Sequence, residues 1–468
     1  MRRSPLLPLL LSTPLALIAC GTGDHAGGDD DDGPDAAAGP TYTWHHDIAP
    51  LVAEHCWTCH TDTGVAAEAS LQTYAGAYEA ASLMAEKTAR REMPPWGAGE
   101  SADCTPRYGF RDDLRLTDAQ IEMFQVWNDE GAPEGDPATA VPLPDPPQPR
   151  TLSGATHVLQ PAAAFTTTGE DDQLICSVLD PQLTGARWLT GMEVVPGTRQ
   201  AVHHVVLTVV PPDQVAEIEA LAGPDGQFEC FGGLTVQGLY PLGVWVPGAD
   251  PMELPGGVGV PLAAGSKLIM QVHYHPAGES YQDRTTARLR LVSTPPGRNY
   301  TFFAVGNAFQ APELLPDPDD RGAPEFRVPA DVAEHTEEME FAIALDTEQR
   351  FPMLTAFPHQ HYLGTTLQVN IERAAPPEGE PAEECLLYVP RWNFDWQRTY
   401  TYDSQDLDAL PTVGNGDKVH IKCTYDNTED NEFVQRALAE QHLTSPIDVY
   451  LGEQSLDEMC LAAFGVLF

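Results

Sequence analysis

The pattern of hydrophobic and polar positions changes near residue 151. From there to residue 468, short apolar runs rich in Val, Leu, Thr and Tyr alternate with turns rich in Pro, Gly and Asp. Runs such as HHVVLTVV, SKLIMQVHYH, TTLQVNIER and DKVHIKCTY have the length and β-branched content of strands. We therefore predict antiparallel β-sandwiches. A break near STPPGRNYT favours two of them, at residues 151–297 and 298–468.

Residues 41–136 have a different, helical pattern. The segment TDAQIEMFQVWNDEG begins with Thr117 and Gln120 in capping-box spacing, places three apolar residues on one side and ends at Gly131. A second amphipathic stretch precedes CWTCH. We predict a small all-α domain here. The Pro-rich stretch that follows, residues 137–150, is typical of a stiff, extended linker.

The first forty residues carry the features of an export signal and a tether. Arg2 and Arg3 are followed by an apolar run, and residues 1–19 are predicted to be a lipoprotein signal peptide. The run ends in LIAC, which resembles a bacterial lipobox, so Cys20 would be lipidated. The alternative is an ordinary signal with a chance cysteine. Residues 20–40 are predicted to be a disordered acidic tether.

These features predict an exported lipoprotein in the bacterial outer membrane or facing the periplasm, with membrane contact only through the N-terminal lipid. The charge narrows the class of partner. The chain has 69 acidic and 25 basic residues and a formal net charge of -44. Nucleic acid rewards positive charge, so a nucleic-acid partner is not expected.

An oxidising compartment permits disulfides among the nine cysteines. Cys20 and the close pair Cys56 and Cys59 are set aside for other chemistry. The remaining cysteines allow up to three bridges, and their spacing alone leaves the pairing open. They are Cys104, Cys176, Cys230, Cys385, Cys423 and Cys460.

The CWTCH segment predicts a covalently attached haem. Cys56 and Cys59 would bond the two vinyl groups, and His60 would be an axial ligand. Met93, in EMPPWG, is the candidate for the opposite axial position, with Met84 as its rival. A disulfide or a zinc site is the alternative for the cysteine pair. The segment resembles a small class I cytochrome c over nearly all of its length.

Six histidines fall into three tight groups within the β-rich region. Residues i and i+2 of a strand share a face, so each H-x-H can offer two imidazoles to one metal. Adjacent histidines need a strand end, a bulge or a ring that uses its near nitrogen. A single H-x-H is commonly an ordinary surface or core feature, whereas three groups together indicate a metal protein. The groups are His203/His204, His273/His275 and His359/His361.

Four segments in chain order, AVHHVVL, MQVHYH, FPHQHYLG and DEMC, resemble the copper type II, ascorbate-dependent monooxygenases. That family includes peptidylglycine α-hydroxylating monooxygenase and dopamine β-monooxygenase. The resemblance implies two jelly-roll sandwiches that face each other across a solvent-filled cleft, each with one copper. His275 receives no ligand role and is expected beside the site or at the surface. The implied electron-donating copper has the ligands His203, His204 and His273. The implied oxygen-binding copper has the ligands His359, His361 and Met459, for which a soft thioether suits Cu(I).

The sequence departs from the peptide-amidating relative around the second copper. Phe357 stands where that enzyme has an arginine that grips the substrate carboxylate. Leu461 and Ala463 replace its polar residues after the copper methionine. The resemblance therefore implies a more apolar pocket, and peptide amidation is not expected.

The resemblance also implies two disulfides. Cys423 and Cys460 match a family pair, and Cys230 is the plausible partner of Cys176. The alternative for Cys176 and Cys230 is a pair of free buried thiols. The resemblance implies no pairing for Cys104 and Cys385.

The activity that follows is hydroxylation of a C–H bond in a small organic substrate by O2, with two copper ions and ascorbate or another one-electron reductant. The fused haem predicts an internal electron relay to the first copper. The electrons that enter the protein would come from a redox partner protein or a quinone chain. The alternative is a haem that serves another exported partner. Two rival functions are an exported haem and copper electron-transfer lipoprotein without oxygenase activity, and a surface protein whose histidines only pack.

Overall fold

A computed structural model describes residues 41–468 except 149, 169–171, 232–233, 235, 276–277 and 308–312. Residues 41–468 form one compact unit. The predicted signal peptide, the lipidation site Cys20 and the acidic tether lie outside the described residues.

The helices are short and mostly lie before residue 130. A π-helical turn at Trp44–Ile48 leads into the first, and 3-10 turns occur at Ala67–Ala69, Pro137–Thr139 and Phe394–Trp396. The α-helices of the described residues are α1 (Ala49–His55), α2 (Tyr74–Ala89), α3 (Asp118–Asp129), α4 (Val215–Leu221) and α5 (Glu432–Glu440). The capping box of α3 is present as predicted, because the Gln120 N–H donates to Thr117 Oγ1 and the Thr117 N–H donates to Gln120 Oε1.

Strands dominate the regular secondary structure after residue 156. Up to residue 292 they are β1 (His157–Leu159), β2 (Phe165–Thr166), β3 (Gln173–Leu179), β4 (Arg187–Val195), β5 (Val202–Val210), β6 (Gln227–Glu229), β7 (Tyr240–Trp245), β8 (Met252–Glu253), β9 (Val258–Leu262), β10 (Lys267–Tyr274), β11 (Gln282–Asp283) and β12 (Thr286–Val292). The later strands are β13 (Arg298–Asn307), β14 (Arg327–Val328), β15 (His335–Ala342), β16 (Phe351–His359), β17 (Gly364–Glu372), β18 (Glu383–Val389), β19 (Tyr400–Thr401), β20 (Thr412–Val413), β21 (Lys418–Tyr425), β22 (Val449–Tyr450) and β23 (Cys460–Leu467).

Most strands of the described residues belong to three sheets. A ten-stranded sheet runs β1-β12-β4-β9-β13-β23-β16-β19, with β8 on β4 and β20 on β16. A five-stranded sheet has the order β6-β3-β10-β5-β7, and a four-stranded sheet has the order β15-β21-β17-β18. Two small ladders, β2 with β11 and β14 with β22, complete the described strands. Alternation such as that of β21, where every second residue is buried, packs one face of each sheet against a common core.

The predicted architecture, a small all-α cytochrome c-like domain followed by two β-sandwich domains, is wrong. The described structure is mostly β, with 32% strand and 16% helix, and no separate helical domain is evident at its N-terminal end. The β region is also not two independent sandwiches. The parallel pairing of β9 with β13, which joins Val258 to Arg298, makes one sheet continuous across both halves.

The helical segment fails to stand apart because its second part belongs to the β region. Residues between α2 and α3 are largely extended, and the Gly99 N–H donates to the Tyr388 carbonyl. Phe110 forms a β-bridge with Tyr402. A disulfide then joins Cys104 to a cysteine of β18. These contacts join the predicted domain to strands almost three hundred positions away, which composition and periodicity do not reveal.

Three disulfides are present, which is compatible with an exported protein. Two of them are the pairs that the resemblance implies, Cys176–Cys230 and Cys423–Cys460. The third joins Cys104 and Cys385, which the sequence left unassigned. Every helix within the described ranges is too short or too polar to cross a lipid bilayer.

Candidate metal centres

The first histidine group consists of His203, His204 and His273, whose ligand atoms lie within 4.8 Å of one another. His203 Nδ1 is 3.2 Å from His204 Nδ1, and His273 Nδ1 is 3.4 Å from the same atom. Nitrogens bonded to one metal at about 2.0–2.1 Å stand roughly 3.3 Å apart in tetrahedral geometry. These two spacings therefore fit a single bound metal ion.

A β-bulge allows two adjacent histidines to point at the same place. Along β5 and β10, His204 pairs with His273, but the next pair joins Val202 to Tyr274, so His203 has no partner in the register. The extra residue turns the ring of His203 back toward its neighbour. Both rings also use their near nitrogen, Nδ1. From the sequence, either a bulge or the use of the near nitrogen was expected, and the structure has both.

Asp172, which precedes β3, orients the first group from behind. Its Oδ1 accepts from His273 Nε2 at 2.9 Å and lies 3.2 Å from His275 Nδ1. A carboxylate on Nε2 fixes the tautomer that presents Nδ1 to a metal. Burial alone would raise the pKa of Asp172, but the two imidazoles outweigh it and hold this pKa below its usual range. His275 also contacts the Tyr362 hydroxyl through Nε2 at 2.9 Å and does not join the metal-facing set.

The second histidine group consists of His359 and His361, at the end of β16. Their ring centroids are 5.1 Å apart. His359 Nδ1 donates to Gln397 Oε1 at 2.9 Å, and His361 Nδ1 donates to the Asp457 carbonyl at 3.0 Å. Both rings are thereby set in the tautomer that leaves Nε2 unprotonated. The first group would therefore bind a metal through Nδ1, and the second group through Nε2.

Four of the histidines in the two groups favour the neutral form that metals require. Desolvation and the neighbouring imidazoles lower the pKa of His203 and of His204 well below the usual range. Burial lowers the pKa of His359 to about 4 and that of His361 to about 3. These four imidazoles can therefore bind a cation at neutral pH.

Met459 is held beside His361 by the carboxylate of Glu458. The N–H groups of His361 and Met459 donate to Glu458 Oε2 at 3.0 and 3.1 Å, and the Leu363 N–H donates to Oε1 at 2.6 Å. The Met459 carbonyl in turn accepts from the Tyr425 hydroxyl at 2.9 Å. The β16–β23 register, which pairs His359 with Leu461, places Met459 opposite His361 when continued by two residues. Burial raises the pKa of Glu458 to about 8 against the pull of these donors.

The two groups adjoin each other instead of facing across a cleft. The ring centroids of His204 and His359 are 6.2 Å apart. Phe394 lies between the groups, stacked on His203 with a centroid distance of 4.3 Å and edge-on to His361 at 6.2 Å. The solvent-filled cleft that the resemblance implies is not the arrangement of this chain. An aromatic ring fills that space, and the continuous ten-stranded sheet ties the two halves together.

Apolar residues flank the second group. The sequence predicts this, because it has apolar residues where the peptide-amidating relative has polar ones. Phe357 stacks beside His359, with centroids 6.2 Å apart and planes at 15°. Leu461 and Ala463 lie on the adjoining strand β23, paired with His359 and Phe357 respectively. No arginine occupies the position of Phe357 to receive a carboxylate.

The CWTCH segment follows α1, and its chemistry fits a covalently bound haem. Cys56 and Cys59 are free thiols. His60 Nδ1 donates to the Ala69 carbonyl at 2.9 Å, which leaves Nε2 as the unprotonated nitrogen. Burial raises the pKa of the Cys56 thiol to about 12, so this sulfur stays protonated until it reacts.

Two methionines are candidates for the second axial ligand, and they lie in different surroundings. Met93 lines a small cavity with Trp96 and Leu116, and none of CWTCH lines it. Met84 belongs to the helical core cluster, against which Cys56 packs. Both residues stay candidates for the haem iron.

One segment, residues 391–400, contains partners of both histidine groups and a charge that acts on Cys59. Burial raises the pKa of the Cys59 thiol, and the nearby charge of Arg398 opposes that rise. The Arg398 guanidinium carbon lies 5.0 Å from the centre of the Trp96 ring. The adjacent residue Gln397 holds His359, and Phe394 stacks on the first group. The neighbours of Cys59 and the partners of both histidine groups are thus within five residues of one another.

Comparisons with known proteins do not assign the chain to a family. No family model and no curated protein matches it. Among solved structures, the major capsid protein P2 of bacteriophage PM2 is 8% identical, with 66% of this chain and 96% of that chain covered and a TM-score of 0.23. PNGF-II is 10% identical, with 66% and 65% covered and a TM-score of 0.25. Likeness at this level carries no argument about fold or function.

Four residues that support the centres were not identified from the sequence. They are Asp172, Phe394, Gln397 and Glu458. Glu458 stands within the DEMC segment, and its place beside Met459 was the one available signal. The others lie far along the chain from the histidines that they contact.

Proposed function

We propose that this protein is a copper-dependent monooxygenase that hydroxylates a C–H bond of a small organic substrate. The observation that supports it best is the meeting of four separate segments: the histidine pair of β5, one histidine of β10, the H-Q-H end of β16 and the DEMC segment before β23. The overall balance is R–H, O2, two electrons and two protons giving R–OH and water. Ascorbate or another one-electron reductant would supply the electrons.

Bound copper would supply the one-electron redox chemistry that activates O2. The residues of this chain set its geometry. Asp172 would direct His273 toward a copper held by Nδ1 atoms. Gln397 and the Asp457 carbonyl would direct Nε2 of the second group toward a copper that also has Met459 as a thioether ligand. Glu458 would keep Met459 aligned with His361.

The substrate is proposed to be small and apolar near its reacting carbon. Phe357 and Leu461 flank His359, and both are apolar. They exclude water and offer no charge to a substrate carboxylate. This argues against a peptide whose carboxylate must be gripped.

A haem held by Cys56, Cys59 and His60 is proposed to deliver electrons to the first group. A haem supplies a one-electron couple. Support comes from Arg398, whose charge acts on the Cys59 thiol, and from Phe394, which lies four residues earlier in the chain and stacks on His203.

We also propose that the protein is exported as a lipoprotein, with a lipid attached to Cys20. A Cys20→Ser variant expressed with its native leader should move from the membrane fraction to the soluble periplasmic fraction. Unchanged membrane association would contradict it.

The test of function begins with copper and haem content, followed by reductant-driven O2 uptake over a panel of amines, peptides and aromatic compounds. Met459→Ile should abolish substrate-dependent O2 uptake while the first group keeps its copper. Met192→Ile, at another buried methionine, is the matched control and should keep activity. Full activity in Met459→Ile would overturn the ligand assignment. Stoichiometric copper and haem without O2 uptake on any substrate would favour the electron-transfer alternative.

A further inference from the structure

A third cluster of metal-ligating side chains lies outside the centres described above. Asp317, His335 and Glu337 each offer one ligand atom, and these atoms lie within 4.8 Å of one another. His335 and Glu337 are alternate residues of β15, and both are buried on its inner face. Asp317 comes from the preceding segment, which forms a β-bridge to β15 through Leu314 and Met339.

One oxygen of Glu337 has no partner among the described residues. Oε1 accepts from the Arg327 N–H at 2.9 Å and lies 3.1 Å from His335 Nε2. Oε2 is fully buried and makes no hydrogen bond. An ionised carboxylate would leave that oxygen desolvated and uncompensated, and a protonated one would leave its O–H without an acceptor. Either state leaves a buried polar group unsatisfied, which is unfavourable.

The nearby cationic side chain, that of Arg327, forms its ion pairs with carboxylates other than Glu337 and Asp317. The Arg327 guanidinium donates to Asp319 Oδ2 at 2.6 Å and to Asp448 Oδ2 at 3.4 Å. It therefore compensates two other carboxylates. Asp317 and Glu337 are left with main-chain donors and the His335 ring, and neither forms an ion pair with a lysine or arginine side chain of the described residues.

We propose that Asp317, His335 and Glu337 bind a divalent cation of the zinc class. Two carboxylates and one imidazole form a ligand set that Zn²⁺ accepts, with a water as the fourth ligand. Calcium and magnesium prefer oxygen ligands alone, so the imidazole selects against them. Glu337 Oε2 is the atom that such a cation would satisfy.

The place of this site in the fold gives it a structural role. Glu337 pairs with Cys423 across β15 and β21, and Cys423 is bonded to Cys460 next to Met459. His335 pairs with Tyr425, whose hydroxyl donates to the Met459 carbonyl. A cation here would fasten the segment around Asp317 to the strand pair that anchors Met459.

The experiment is zinc binding to the full, copper-free protein and three variants, measured by competition with a chromogenic chelator. Glu337→Gln is expected to bind one equivalent of zinc fewer than the wild type. Glu338→Gln, on the opposite face of the same strand, is the matched control and should bind as much as the wild type. Zinc bound by the other histidine groups cancels in the difference. Zinc should also raise the thermal unfolding temperature of the wild type and of Glu338→Gln by more than that of Glu337→Gln.

Equal zinc stoichiometry in Glu337→Gln and the wild type would overturn the proposal. If Glu337→Gln does not fold, Asp317→Asn provides the same comparison at a less buried ligand. An equal zinc count in a folded Asp317→Asn protein would likewise overturn it. Because copper and O2 uptake play no part in these measurements, the outcome is independent of the proposed monooxygenase function.

Discussion

Glu458→Gln tests whether one buried carboxylate aligns the two halves of the second metal centre. Glu458 is fully buried, and its two oxygens accept three main-chain hydrogen bonds, from His361, Leu363 and Met459. Glutamine has the same shape but replaces one acceptor oxygen by an NH2 donor. In either orientation, the new NH2 faces at least one main-chain N–H that has lost its acceptor.

The expected cost follows from those contacts. Because burial raises the pKa of Glu458 to about 8, the carboxyl is mostly protonated at neutral pH and its hydrogen bonds are those of a neutral group. A neutral hydrogen bond contributes about 0.5–1.5 kcal/mol, and a buried donor left without a partner costs about 1–3 kcal/mol. In its better orientation, the introduced amide keeps the His361 and Met459 bonds and loses the Leu363 bond. We therefore expect the free energy of unfolding at pH 7 to fall by about 2 kcal/mol. Copper affinity at the second group should fall about 10- to 100-fold, as it does when residues that orient metal ligands are lost.

The assay is urea denaturation of the copper-free protein with its disulfides intact, together with Cu(I) competition on the folded protein. The exposed Glu348→Gln is the control and should change stability by less than about 0.5 kcal/mol. Wild-type stability and copper content in Glu458→Gln would refute the reasoning. That result would mean that the main-chain donors of His361, Leu363 and Met459 do not depend on the two oxygens of Glu458.

Three further predictions concern the other supports of the site. Asp172→Asn should weaken Cu(I) binding at the first histidine group about 10- to 100-fold in a competition assay, and unchanged affinity would exclude its orienting role. Phe394→Leu should slow reoxidation of reduced haem in stopped flow without changing copper content; an unchanged rate would remove the ring from the electron path. Cys104→Ser with Cys385→Ser should lower the free energy of unfolding by about 2–5 kcal/mol, and equal denaturation midpoints would show that the bridge does not hold the extended segment.

Local chemistry accounts for what the sequence predicted correctly. The capping box of α3 needs only Thr117 and Gln120 three residues apart, so spacing alone identifies it. The bulge at His203 follows from the opposite directions of neighbouring side chains in a strand, because two adjacent rings can face the same point only if the strand is irregular there. Each of these conclusions depends on residues within a few positions of one another.

The incorrect prediction of an independent helical domain has a non-local cause. The helices near CWTCH do form, but the extended stretch after α2 is paired with β18 and β19 and bonded through Cys104 to Cys385. Nothing in the local pattern indicates which distant strand such a stretch will join. The same holds for the β9–β13 pairing, which involves only two residue pairs and yet merges the two halves into one sheet.

The supports of the metal centres were missed for a related reason. Asp172 contacts a histidine 101 positions away, and Gln397 contacts one 38 positions away. Isolated polar residues near turns are common, so neither has a sequence signature. The candidate metal ligands, by contrast, are clustered in the sequence, and clustering is a statistical signal that a single sequence can show.

The closeness of the two histidine groups bears on how the proposed reaction would be organised. With His204 and His359 only 6.2 Å apart, electrons would pass between the groups through protein atoms and not through bulk water. Phe394 excludes solvent on the side of His203 and His361, so substrate and O2 must approach the second group from another direction. Phe357 and Leu461 lie beside His359 and are apolar. An approach beside these two residues would keep the substrate apart from Phe394, the ring proposed to pass electrons.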